Sequence, residues 1–140
     1  MPRNWVIRFG PMSKQQKLNI LVVDDEASIR RLLPALFQRA GYSVETASNG
    51  EEALSVVSHS ANGFEVVITD HEMPVLRGDQ MVQSLRANGF RGAIFVCSAY
   101  LTPDITAHYR RLGVRECLSK PVPWEELKMR VAVIAADRPS

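Results

Sequence analysis

Residues 64–74 read FEVVITDHEMP. Five of the first six side chains, Phe64, Val66, Val67, Ile68 and Thr69, are apolar or β-branched, and the run then stops at a bare carboxylate, Asp70. A short apolar run of this kind predicts a strand buried on both faces. In an open parallel sheet, ligands bind just past the carboxyl ends of the strands. Asp70 therefore stands where chemistry collects, and Pro74 and Gly78 shape the loop that follows it.

Working outward, the same pattern recurs. Residues 18–23 (LNILVV) predict a buried strand ending in Asp24 and Asp25. A helix over about 26–40 places Ile29, Leu32, Leu33, Leu36 and Phe37 on one face. Gly41 is its expected stop, and Pro34 inside it should bend it. Residues 42–47 alternate apolar and polar, as an edge strand does. Residues 51–58 predict a second helix with Ala53, Leu54 and Val57 inward. Residues 80–87 predict a third, ended by Asn88-Gly89. Residues 93–97 (AIFVC) form a fourth apolar run ending at Ser98. Thr102 and Pro103 fit the N-cap and first position of a helix reaching about 112, with Gly113 at its end. Residues 114–118 predict a fifth strand running into Ser119, Lys120 and Pro121, and residues 124–136 a last helix. Five strands alternating with five helices argue for a parallel sheet covered on both faces.

The 140 residues fit one domain, and 46% hydrophobic against 23% charged residues predicts a folded core. Of the 17 Lys and Arg, Arg3, Arg8, Lys14 and Lys17 lie in the first 18 residues without an acid. The rest carries 13 bases against 15 acids, a mildly acidic balance that argues against nucleic acid as a partner. Residues 1–17 are expected to be a flexible extension, residues 18–137 the domain, and residues 138–140 a tail. No run of about 18 apolar residues occurs, so no membrane span is expected. Cys97 and Cys117 read as buried free thiols of a reducing, cytoplasmic setting. His59, His71 and His108 lack metal-ligand spacing and read as ordinary surface or loop residues.

Four strand ends thus carry polar groups: Asp24 and Asp25, Asp70, Ser98, and Lys120. Each has an ordinary reading alone, as a helix cap, a turn hydroxyl or a solvated lysine. Together they meet at one rim of the sheet. Clustered carboxylates raise one another's pKa unless a cation joins them, and an all-oxygen site of this kind favours Mg²⁺. A metal ion plus the Lys120 ammonium suits the charge of a transferring phosphoryl group. Ser98 can hydrogen-bond a phosphoryl oxygen, and Asp70 can act as nucleophile and form an acyl phosphate.

The pieces ILVVDDE, VVITDHEMP followed by Gly78, VCSA and LSKP occur in an order and spacing that resemble the receiver domain of two-component response regulators, of the single-domain, chemotaxis-regulator-like kind. The resemblance covers residues 18–136. It implies an α/β, flavodoxin-like, doubly wound five-stranded parallel sheet of order 2-1-3-4-5 with five helices. It implies that Asp70 is the phospho-acceptor, that Asp25 binds Mg²⁺ directly with Asp24 supporting it, and that Asp70 and the backbone carbonyl of Glu72 are further ligands. Lys120 would contact the phosphoryl group, Ser98 would be the switch hydroxyl, and the bond from Lys120 to Pro121 is often cis in such domains. The implied phosphoryl donor is a histidine kinase or phosphotransfer protein. The implied readout is an unidentified downstream protein on the face of the fourth helix, fifth strand and fifth helix, for which Tyr109, Arg110, Arg111 and Trp124 are candidates. Such a domain assists its own phosphorylation and dephosphorylation and is otherwise not an enzyme.

Two positions depart from the family pattern. Where an aromatic usually stands three residues before the lysine and changes rotamer on activation, this chain has Cys117; Tyr100 is a candidate substitute. Glu72 and Tyr100 flank the path of attacking water, and an acid and a bulky ring there predict a long-lived phosphoryl group. Three other readings compete: a receiver segment of a hybrid histidine kinase or longer regulator, a receiver that binds partners without phosphorylation, and a Mg²⁺-dependent phosphatase with an Asp nucleophile. The phosphatase would need a second Asp as general acid where Glu72 stands, and a substrate cap.

Overall fold

The computed structural model describes residues 17–137. Apart from Lys17, the expected extension lies outside the described residues, as does the tail. Among the described residues, five strands alternate with five helices. The strands are β1 (Asn19–Val23), β2 (Ser43–Ala47), β3 (Val66–Thr69), β4 (Ala93–Ser98) and β5 (Glu116–Ser119). The helices are α1 (Ala27–Arg39), α2 (Gly50–His59), α3 (Gly78–Ala87), α4 (Pro103–Arg111) and α5 (Trp124–Asp137). All neighbouring strands pair in parallel, in the order β2-β1-β3-β4-β5. This is the doubly wound sheet that the strand-helix alternation predicts.

Side chains alternate across a strand, so an uninterrupted apolar run feeds two cores. Ile20, Val22, Val66, Ile68, Phe95 and Cys97 face one side, where Leu33 and Phe37 of α1 and Leu127 and Val131 of α5 cover them. Leu21, Val23, Val67, Ile94 and Val96 face the other, under Ala53 of α2, Met81, Val82 and Leu85 of α3, and Tyr109 of α4. Each fully buried Val, Leu or Ile contributes roughly 1.5–3 kcal/mol, so β1, β3 and β4 anchor the domain. Strand β2 lies at one edge, and most of its residues are exposed or half-exposed.

Helix ends follow the punctuation. Gly41, just past α1, has φ +92°. Thr102 caps α4 by accepting the Ile105 N–H at 3.1 Å, with Pro103 in the first turn. Pro34 lies inside α1. Helices α2 and α3 start one and two residues earlier than their apolar spacing predicts. Strand β5 starts two residues later: Val114 donates its N–H to the Tyr109 carbonyl and so still belongs to the turn closing α4.

The loop after β3 holds one strained residue. Val75 is the only described non-glycine residue with a positive φ, 73°, and its side chain is exposed. A β-branched residue is poorly suited to that region, which Asn tolerates. Val75→Asn is expected to stabilise the fold by about 1 kcal/mol, raising the midpoint of thermal unfolding by about 3 °C in calorimetry.

Candidate functional site

The ladder carries four polar residues to one rim. Asp24 donates its N–H to Ala47 O at 3.1 Å, Asp70 to Val23 O at 3.0 Å, and Lys120 to Ser98 O at 2.8 Å. Each strand-end residue is thus in register with the neighbouring strand, although Asp24 and Lys120 are 96 positions apart. The loops past the rim are short and fixed. Arg30 of α1 holds the Asp24 carbonyl at 2.8 Å, and Thr69 Oγ1 donates to the Asp70 carbonyl at 2.9 Å. Gly78 opens α3 so close to this rim that a Cβ there would fall 2.3 Å from the Asp70 carbonyl oxygen. Its N–H meets His71 O at 2.9 Å. The Lys120–Pro121 peptide bond is cis.

The Lys120 ammonium sits among three carboxylates, 2.9 Å from Asp24 Oδ2, 3.3 Å from Glu26 Oε1 and 3.4 Å from Asp70 Oδ2. Asp24 Oδ1 accepts the Glu26 N–H at 2.9 Å, and Asp70 Oδ1 accepts the His71 N–H at 2.7 Å. Asp24 and Asp70 are buried, and Asp25 is exposed beside them. One carboxylate oxygen from each of the three lies within 4.8 Å of the others. Three acids converging on one point, all offering oxygen, can bind a metal ion, and the donor set suits a hard divalent cation.

Burial pushes the Asp24 carboxyl above its ordinary value; the Glu26 N–H and Lys120 pull it back without cancelling the rise, and Asp70 adds to it. Lys120 moves the other way from a buried amine. Burial disfavours its charge, but the hydrogen bond and charge of Asp24, with Asp70 and Glu26, outweigh that and hold it above the lysine range. The two shifts do not mirror each other because Asp24 is the more deeply buried partner, its side chain 4% exposed against 14% for Lys120. One ammonium leaves the rim with excess negative charge.

The other expected residues fall as follows. Ser98 is fully buried, and its Oγ accepts the Tyr100 N–H at 3.3 Å; it makes no hydrogen bond to the carboxylates. Glu72 and Tyr100 are exposed at the rim loops. Burial pushes the Cys97 thiol up to about 12 and raises Cys117 less, so both stay protonated. Two expectations need correction. His71 is no ordinary surface or loop histidine: it is buried, with Nδ1 2.6 Å from the Tyr109 hydroxyl. Tyr109 is no surface candidate: it is completely buried, because α4 turns its Ile105, Tyr109 and Leu112 stripe toward the core. That i, i+4, i+7 spacing was the available signal. Arg110 and Arg111 are exposed, and Trp124 is half-buried against the α1–α5 core.

A family model described as the response regulator receiver domain matches residues 20–132. The chain belongs to that family, whose members are the receivers of two-component systems. Among its relatives, the sensor histidine kinase RcsC of Salmonella typhi is 35% identical over 116 residues, 83% of this chain and 12% of RcsC. The probable transcriptional regulator ycf27 of Pyropia yezoensis is 40% identical over 119 residues, 84% of this chain and 47% of that protein. The chain thus spans less than half the length of these curated relatives. Among solved structures it is similar to chemotaxis protein CheY4 of Vibrio cholerae, with a TM-score of 0.77 and 31% identity, over 84% of this chain and 98% of that one. It is also similar to the response regulator TrrA of Thermotoga maritima in complex with Mg²⁺-BeF, with a TM-score of 0.72 and 33% identity, over 84% and 98% of the two chains.

The charge arrangement predicts a pH dependence. A carboxyl whose pKa is higher folded than unfolded contributes most to stability in acid, and this contribution is lost as the pH rises through the folded value. Lys120→Met removes the opposing cation and enlarges the Asp24 rise. In urea denaturation the stability gap between wild type and Lys120→Met is expected to widen by about 2 kcal/mol from about pH 4 to about pH 7, discounted for partial exposure.

Proposed function

We propose that this receiver accepts a phosphoryl group on Asp70 and that the acyl phosphate changes its affinity for a downstream protein. The observation that carries this reading is the rim itself. A buried nucleophilic carboxylate lies 3.4 Å from an ammonium, with two further acids within 4.8 Å. Asp25 and Asp70, supported by Asp24 and the Glu72 carbonyl, would hold Mg²⁺. When bound, the ion supplies positive charge against the oxygens of the transferring group.

The chain's own residues do the rest. Lys120 keeps its proton throughout the physiological range and attracts the incoming phosphoryl oxygens. A carboxylate oxygen of Asp70 attacks phosphorus, forming the O–P bond. The N–P bond of the donor, a phosphohistidine of a kinase or phosphotransfer protein, breaks, and its imidazole leaves with the electron pair. Ser98 would donate its hydroxyl proton to one of the new oxygens while its Oγ goes on accepting the Tyr100 N–H. Differential contacts of this kind are what shift a two-state population. The readout face is that of α4, β5 and α5, where Arg110, Arg111 and the one-turn-apart Met129 and Val133 are exposed. A cytoplasmic setting fits the protonated free thiols.

Incubation with acetyl phosphate and Mg²⁺ is expected to add one phosphoryl mass to the chain, and chelation of the ion or Asp70→Asn is expected to abolish it. An unchanged intact mass would overturn the reading. Tyr100→Ala and Glu72→Asn open the path of attacking water, so each is expected to shorten the lifetime of the acyl phosphate roughly severalfold, read by the decay of the labelled mass.

A further inference from the structure

His71 ties three elements together. Its N–H holds Asp70 Oδ1 at 2.7 Å, and its carbonyl accepts the N–H that opens α3 at 2.9 Å. Its ring reaches α4, with Nδ1 2.6 Å from the Tyr109 hydroxyl and the two rings edge to face at a centroid distance of 5.4 Å. Tyr109 has no exposed surface and His71 almost none. There is little slack around the pair: a Cβ on Gly78 would fall 2.7 Å from the Tyr109 hydroxyl and 3.0 Å from the His71 Cα. Burial, followed by the Asp79 carboxylate, keeps the phenol protonated far above neutral pH. The hydroxyl therefore donates to Nδ1 or accepts from Nδ1–H, according to the imidazole tautomer.

We infer that His71 and Tyr109 are positioning residues for Asp70. The hydroxyl–imidazole bond fixes the peptide whose N–H directs Asp70 Oδ1, and so leaves Oδ2 turned toward Lys120. The same bond makes α4 a party to the state of Asp70. A carboxyl that changes its hold on the His71 N–H moves a peptide pinned through its side chain to α4. Coupling of this kind is reciprocal, so the position of α4 also biases the carboxylate. Half-buried Cys117, which packs in the same cluster as Tyr109, offers no ring of its own at this face. The large aromatic between α4 and the sheet is Tyr109, and it is linked to the rim by hydrogen bonds. This rests on the reading of Asp70 as acceptor.

Tyr109→Phe keeps the ring and removes the hydroxyl. His71→Leu removes the other partner, and His71→Asn retains a hydrogen-bonding atom near the Nδ1 position. Two rates are read on the full chain: amide exchange at His71 in the unphosphorylated protein, and phosphoryl labelling by acetyl phosphate with Mg²⁺. Tyr109→Phe and His71→Leu are each expected to speed the exchange on the order of tenfold and to slow labelling severalfold. The double variant should be no worse than either single one, and His71→Asn should recover both rates. Tyr109→Phe with both rates within about twofold of wild type, or additive effects in the double variant, would overturn the inference. A wild-type chain that takes no phosphoryl group overturns the acceptor reading and this inference together. A labelled wild type with an indifferent Tyr109→Phe overturns this inference alone.

Discussion

Asp24 and Asp70 are nearly removed from water, yet they face each other across a single ammonium. A carboxylate so placed survives only if a cation is delivered to it. Lys120 is delivered by β5, which reaches the rim only through β4 and β3 in register. The electrostatics of the rim thus depend on the sheet order. Slipping any one strand by a residue would turn its polar end to the opposite face. Once the order is set, one cation among three acids is too little positive charge. Burial raises the Asp24 carboxyl and Asp70 adds to the rise, so a second cation, such as a metal ion, would relieve the rim.

The two cores serve this arrangement differently. The α1–α5 side is built from aliphatic and aromatic packing. The other side also holds a polar contact, the hydroxyl of Tyr109 against His71, placed where β3 gives way to the loop carrying Asp70. Helix α4 is short, 9 residues, and its contact with the sheet depends on few side chains. A helix held by so few anchors is a suitable moving part, and one of them ends beside the Asp70 carboxylate.

Much of this was legible in the chain. Apolar runs that stop abruptly at Asp24, Asp70 and Ser98 mark strand ends because a parallel strand buried on both faces has no polar residue to spare, whereas Lys120 follows the half-buried edge strand β5. The alternation of strands and helices follows from the same runs, and the strand order came from the resemblance carried by the four motifs. The His71–Tyr109 pair was less legible. A histidine one residue past a strand end and a tyrosine on a basic, solvent-edged helix both suggest surface, since each has a polar tip. Their burial depends on each satisfying the other across 38 positions, which local spacing does not encode. Only the stripe of Ile105, Tyr109 and Leu112 hinted at it. The late start of β5 has a local cause: the left-handed turn at Gly113, φ +76°, keeps Val114 bonded to α4.

Asp70, its neighbouring acids and Lys120 would hold a divalent ion and a phosphoryl group together, and this is open to direct test. Fluorine NMR of the chain with beryllofluoride, a phosphoryl mimic, tests it most directly. A bound fluoride signal is expected that saturates at one mimic per chain, requires Mg²⁺ and disappears in Asp70→Asn. No bound signal at saturating Mg²⁺, or a signal that persists in Asp70→Asn, would contradict it.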